Sequence, residues 1–372
     1  MKNIGIYVHI PFCIKKCYYC DFISFNNKEN LISQYIEALK KEITNQKNVE
    51  ECKIKTIYIG GGTPSYIDIK YIKQIIGVIN KKFNIDKDVE FTIEINPGTV
   101  DEQKLKTYYK LGINRLSIGL QSTDDEILNT IGRIHTYKQF LETYKLARKI
   151  GFKNINIDLM LGLPNQTIEI LKQSVREVIK LEPEHISVYS LILEEGTKLE
   201  KKVKNKEIEL PNEKLERDMY WNTKNKLQEC EYIHYEISNF AKCGYESKHN
   251  VSCWNQEEYL GFGLAAHSYF NNIRCSNEEE LESYIKNSNN KKINEIQNDE
   301  SKQKEYMLLG LRKIEGVKIS KFKQKFVNNP IYIYREELNK LVKEGLIEIE
   351  EDNIKLTNKG IDFANLVWQE FI

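Results

Sequence analysis

Three cysteines lie close together in the run CIKKCYYC, at Cys13, Cys17 and Cys20. Cysteine thiolates hold iron–sulfur cubanes, and three on one short loop occupy three irons while the fourth has no protein ligand. An open metal position is where a small molecule is bound and activated. S-adenosylmethionine can chelate such an iron through its amino and carboxylate groups, and reduction of the cluster then cleaves its sulfonium to a carbon radical. The competing reading is a zinc knuckle or three unrelated core thiols. Zinc wants a fourth Cys or His at matching spacing, and none follows nearby. Cys52, Cys230, Cys243 and Cys275 read as ordinary thiols.

A second group of residues suits a ligand at the same place. Gly60, Gly61, Gly62, Thr63 and Pro64 follow a strand-like run, and glycines there let backbone N–H groups approach a ligand closely. A tight turn with no ligand is the plainer reading. Glu94, Gln121 and Asp158 are expected at or just past the ends of the third, fourth and fifth strands, with Arg133 in the helical segment that follows. Carboxylates there can take an ammonium or ribose hydroxyls, and an arginine can clamp a carboxylate. Each alone also reads as a helix cap. Farther on, His249, Asn250, Cys253 and Trp254 form an HNVSCW run. Imidazole or thiolate beside a flat aromatic suits haem iron, whereas the plain alternative is a surface His, a small buried Cys and a core Trp.

The elements that must position these residues alternate. Strand-like runs at 4–10, 55–61, 90–96, 115–120, 154–161 and 185–191 are separated by amphipathic stretches such as 31–43 and 71–83. Six such β/α units imply a parallel sheet with right-handed crossovers. They are too few for eightfold closure, so a partial (β/α)6 barrel of the TIM type is expected over 1–195. Residues 196–276 read as a region packed on that barrel, and the polar stretch 277–301 as a connector with an exposed helix. Residues 302–372 read as a winged-helix-like module at the end of an α+β region.

Composition narrows the setting. Lys and Arg number 55 against 54 Asp and Glu, so no global field favours nucleic acid or an anionic membrane. Glu344, Glu348, Glu350 and Glu351 break up the basic residues of the terminal module, which also argues against a phosphate-binding face. No eighteen apolar residues run without charge, and no secretory leader is read at the start. Eight cysteines in 372 residues do not make the pattern of a small disulfide-stapled fold. A cytoplasmic, reducing location is expected.

Taken together, these motifs resemble the radical S-adenosylmethionine family of oxygen-independent coproporphyrinogen III oxidases and, within it, the HemW-type haem chaperones. YVHIPFC, the cysteine loop, GGGTPS, EINPG, LSIGLQS, GRIH, NIDLMLGLP, YEISNFA and HNxxxW occur in the family's order over nearly the whole chain. The resemblance implies a 4Fe-4S cluster on Cys13, Cys17 and Cys20, with S-adenosylmethionine contacts at Tyr7, Gly61, Gly62, Thr63, Glu94, Gln121, Arg133 and Asp158. It implies a haem site around His249, Cys253 and Trp254. Two departures matter. The oxidases carry a further cysteine two residues past the third, where this chain has Phe22, and the chaperones carry Tyr where this chain has Cys253. The implied function is to bind haem and hand it to an acceptor protein, including by peripheral contact with membrane-bound acceptors. Radical oxidative decarboxylation of coproporphyrinogen is the alternative, and whether the chain is an enzyme stays open.

Overall fold

Six strands rich in isoleucine and leucine form the frame: β1 (Lys2–Ile10), β2 (Cys52–Gly61), β3 (Asn84–Ile95), β4 (Arg115–Gln121), β5 (Ile155–Leu161) and β6 (His185–Ser190). The computed structural model describes residues 1–372, and in it these strands pair in chain order, all parallel. Successive side chains alternate between the two faces. On β4, Leu116, Ile118 and Leu120 pack into the main hydrophobic core. Ser117 and Gly119 point the other way, toward Asp158, Asn156 and Arg133. This alternation lines one face of the curved sheet with polar groups while the other binds the helices.

The helices between strands start where a side chain can accept an orphan N–H. Asp68 caps Ile69–Lys82, Asp101 caps Glu102–Lys110 and Thr167 caps Ile168–Lys180. Helix Tyr137–Ile150 begins with a capping box between Thr136 and Gln139 and stops at Gly151, whose φ of 116° suits glycine.

The expected partial (β/α)6 barrel is present, and the sheet extends beyond it at both ends. On one side β6 pairs with β8 (Asn239–Ala241), which pairs with β7 (Ile233–Glu236), both antiparallel. On the other, β9 (Tyr259–Phe262) lies parallel to β1 and leads through β10 (His267–Phe270) and β11 (Ile273–Ser276) to β12 (Lys292–Ile296). The stretch 277–301 therefore carries helix Leu281–Lys286 and the edge strand β12, paired with β11. Buried Glu42, on the first long helix, binds this side: it accepts from Gly263 N–H, Asn277 and Tyr284 and pairs with Lys291.

The terminal α+β module has three antiparallel strands, β13 (Val317–Lys318), β14 (Ile347–Glu350) and β15 (Asn353–Leu356), in the order β13–β15–β14. Helices Ile319–Phe326 and Arg335–Lys343 fill it through Phe322, Leu338 and Leu341. No helix is long and apolar enough to cross a membrane.

Candidate functional site

The cysteine loop leaves the carboxyl end of β1 and returns to it. Cys13 N–H donates to Phe25 O and Phe25 N–H to Pro11 O, at 2.9 and 2.7 Å, which closes the loop. The GGGTP turn after β2 is bonded alongside: Gly62 N–H reaches Ile10 O and Thr63 N–H reaches Phe12 O. The fit is too close for side chains. A Cβ on Gly62 would sit 2.9 Å from Cys13 Sγ, and one on Gly61, whose φ is 116°, would meet the His9 ring at 2.7 Å. Thr63 Oγ1 donates to Cys13 Sγ at 3.5 Å, and Arg133 Nη1 donates to Cys17 Sγ at 3.7 Å.

Burial holds the Cys13 thiol above its ordinary pKa. Burial, together with the nearby Cys17, pushes Cys20 up to about 11. Iron bound at these sulfurs would reverse that tendency, since a cation at the sulfur deprotonates a ligating thiol outright. No group of three or more His, Cys, Asp or Glu side chains is gathered to hold a single metal ion. A cubane asks something else, one thiolate per iron, and three cysteines on one loop, with hydroxyl and guanidinium donors on two of the sulfurs, suit that donor set.

Facing this loop, Glu94 on β3 is partly buried and doubly bonded. Its Oε1 accepts from Tyr58 OH at 2.9 Å and its Oε2 from Gly61 N–H at 3.1 Å. Burial raises its pKa to about 7, reinforced by the charge of Asp158 and opposed by those two hydrogen bonds and by Arg115. Asp158 is also raised, chiefly by burial. It is the fourth of seven residues in β5, not at the strand end where it was expected, because inward-facing positions recur every second residue along the whole strand. There it accepts from Asn156 Nδ2 at 2.7 Å and Ser117 Oγ at 3.4 Å. Gln121 does end β4, with φ at 71°. Arg133 lies between helices Asp125–Thr130 and Tyr137–Ile150, not within one, and its Nη2 donates to Asn96 Oδ1 and Gly119 O at 2.5 Å each. Tyr7 OH shares a 2.9 Å hydrogen bond with His9 Nδ1.

The radical SAM superfamily model matches residues 7–178, and the HemN C-terminal domain model matches 299–363. The heme chaperone HemW of Lactococcus lactis is 37% identical over 100% of this chain and 98% of its own. The chain belongs to the HemW-type subgroup of the radical SAM family. The heme chaperone HemW of Bacillus subtilis is likewise 37% identical, over 98% of both chains. Among solved structures, coproporphyrinogen III oxidase (HemN) from Escherichia coli covers all of this chain and is itself covered to 90%, with a TM-score of 0.86. At 24% identity that likeness speaks for the fold. Membership implies a 4Fe-4S cluster and S-adenosylmethionine.

The HNVSCW run lies elsewhere, on helix Lys248–Trp254 beneath the amino ends of the strands. His249 is buried inside the barrel floor. Its Nδ1 is 2.9 Å from Thr56 Oγ1 and its ring stacks on Tyr58 at 5.3 Å between centroids. Burial, followed by the charge of Arg115, lowers its pKa to about 4, so the ring is neutral. Cys253 sits near Arg274 and Glu257, and burial pushes its thiol up to about 11. Trp254 lies under the Arg312 guanidinium, 4.5 Å from its ring centroid. The three residues expected to share a haem site thus face three different neighbourhoods. A cavity of about 300 Å³ beside this helix is lined mainly by polar groups, including Lys55, Asp86 and Lys248, and by none of the three.

Several site residues had no signal of their own in the sequence. Asn96 bridges Arg133 to Thr63, and the EINPG run marked its place without its role. Tyr58 was hidden in an apolar strand. Arg115 is 2% exposed, and its Nε has no hydrogen-bond partner. It acts through charge, opposing the pKa rise of both Glu94 and Asp158.

Proposed function

We propose that this chain binds haem and passes it to an acceptor protein, aided by a 4Fe-4S cluster on Cys13, Cys17 and Cys20 and an exchangeable S-adenosylmethionine. The observation that carries the reading is full-length likeness to two haem chaperones at 37% identity. When bound, the reduced cluster supplies the electron that can cleave the sulfonium. The chain's own groups do the holding. Glu94 and Asp158 would offer carboxylates to the ammonium and ribose hydroxyls, Arg133 would offer a cation to the carboxylate, and the Gly61–Gly62 backbone would take the amino-acid moiety.

The barrel mouth favours a large apolar cargo. Ile14 and Phe22 on the cysteine loop and Tyr189 and Ile192 at the end of β6 are exposed there, Phe22 by 65% and Ile192 by 68%. Tyr18 O accepts from Leu199 N–H, which joins the cysteine loop to helix Lys198–Lys204 beyond β6. Phe22 also stands where the oxidases carry their further cysteine. All eight cysteines are unpaired, as a reducing cytoplasm would keep them.

The test has two arms run anaerobically on cluster-loaded protein. One titrates haem and follows its passage to an apo-haemoprotein by absorbance. The other supplies coproporphyrinogen III, S-adenosylmethionine and reductant and looks for protoporphyrinogen. Transfer without protoporphyrinogen is expected, and the reverse outcome assigns the oxidase reaction instead.

A further inference from the structure

The HNVSCW helix touches the interior of the barrel at a place from which the proposed S-adenosylmethionine site is one side chain away. Glu90, at the lower part of β3, accepts from the backbone N–H groups of both Lys248 and His249 at 3.0 Å and anchors the helix to the strand that carries Glu94. His249 then reaches inward between β1 and β2. Gly5 on β1 makes room for it, since a Cβ there would lie 2.8 Å from Thr56 Oγ1 and 3.4 Å from the imidazole. The ring is held from one side by Thr56 and covers the face of Tyr58 with the other. Tyr58 OH donates to Glu94, whose second oxygen binds Gly61 of the glycine turn.

A parallel chain runs on the opposite side of the floor. Ser247, the cap of the same helix, donates its N–H to Tyr235 OH at 3.3 Å. Tyr235 OH is 2.7 Å from His185 Nε2, and His185 Nδ1 is 2.7 Å from Asn156 Oδ1. Asn156 donates to Asp158. Burial keeps His185 well below its ordinary pKa, so it is a neutral link with one donor and one acceptor. Both carboxylates assigned to S-adenosylmethionine are therefore held from below by residues that connect to one short helix.

We infer that His249 is a positioning residue for S-adenosylmethionine, fixing Tyr58 and through it Glu94, and is not the axial ligand of haem. This rests on the assignment of Glu94 to S-adenosylmethionine made above. Haem iron binds a ring nitrogen in the imidazole plane and needs room for a porphyrin beside it, whereas this residue is buried, with Thr56 on Nδ1 and Tyr58 against its face, and does not line the cavity beside its helix.

The experiment measures S-adenosylmethionine affinity by anaerobic equilibrium dialysis of cluster-loaded protein, with haem titration and melting temperature recorded on the same samples. His249→Phe keeps the stack and removes the bond to Thr56, and Thr56→Val removes the same bond from the other side. Each is expected to weaken S-adenosylmethionine about three- to tenfold, the range of one lost neutral hydrogen bond. Haem affinity and the Soret band stay as in the parent. In a Tyr58→Phe background, where the hydroxyl link is already cut, His249→Phe changes affinity by less than about twofold. Gly5→Ala, which crowds the pair without touching any proposed contact, weakens binding in the same direction.

Unchanged S-adenosylmethionine affinity in His249→Phe and Thr56→Val overturns the inference, as does full additivity with Tyr58→Phe. Loss of haem in His249→Phe with S-adenosylmethionine intact returns the residue to the haem site. If His249→Phe fails to fold, Thr56→Val and Gly5→Ala decide the matter. Parent protein that binds S-adenosylmethionine but no haem refutes the chaperone reading and leaves this test standing. Parent protein that binds no S-adenosylmethionine removes the rim assignment and the inference with it.

Discussion

Glu94 offers the most quantitative test of the proposed ligand rim. Its pKa of about 7 in the folded chain lies above the ordinary carboxylate value of 4.5. The folded state therefore holds a proton that the unfolded chain has released, and stability falls as pH rises from about 4.5 to 7 and levels off above. At about 1.4 kcal/mol per pH unit the full effect is about 3 kcal/mol. Tyr58, Tyr7, Tyr189, Asp158 and Arg115 surround the group, and only Arg115 among them carries a positive charge. A bound ammonium adds a second. S-adenosylmethionine should then select the ionised form and release up to one proton on binding below pH 7. A single titrating carboxylate predicts affinity that is flat above about pH 7 and weakens about tenfold by pH 6. Glu94→Gln removes the titrating charge while keeping the shape. It should bind weakly and without that pH slope, and its stability relative to the parent should improve as pH rises. Calorimetry of cluster-loaded protein in buffers of different ionisation enthalpy counts the proton, and denaturant melts from pH 4.5 to 8 measure the stability arm. The same pH slope in Glu94→Gln, or no proton released by the parent at pH 6.5, would refute the reasoning.

Replacing Cys13, Cys17 or Cys20 singly by Ser should abolish the cluster after anaerobic reconstitution, while Ser at Cys52, Cys230, Cys243 or Cys275 leaves iron and sulfide counts unchanged. Arg133→Ala and Asp158→Ala should each weaken S-adenosylmethionine about ten- to a hundredfold with the cluster retained, the size of one charge-assisted hydrogen bond of roughly 1.5–3 kcal/mol. In dialysis, parent affinity in both would count against the rim. Glu42→Ala leaves Lys291 and three donors without their buried acceptor, and a loss of about 3–5 kcal/mol is expected in denaturant titration with no change in S-adenosylmethionine affinity.

What could be read in advance depended on how local the cause was. The six parallel strands were visible because β-branched and apolar residues cluster in runs bounded by turn residues, and each expected run overlaps a strand. The cysteine loop and glycine turn were visible because their spacing is itself the chemistry. Asp158 was assigned to the inward face but to the wrong height, since strand periodicity tells which face a residue takes and not how deep it sits. His249 could not be placed, because the contacts that define it, with Thr56 and Tyr58, lie nearly two hundred residues away in the chain. Arg115 gave no sign at all. A charged residue at the start of an apolar strand reads as an edge, whereas alternation puts it on the inward face with Ser117 and Gly119.

The position of β1 has a consequence for how the molecule is made. It is synthesised before its partner β2, and its other edge is filled by β9, about 250 residues later. Until then a buried strand of the finished protein is an open edge on the nascent one, able to pair with any strand it meets. The loop with the three cysteines hangs from that same strand. Its final shape near His9 depends on Tyr35, whose hydroxyl donates to His9 O and accepts from Leu264 N–H just past β9. Translation must therefore run beyond residue 264 before the sheet can close around the loop, so chains arrested earlier should aggregate more readily and take up iron less well.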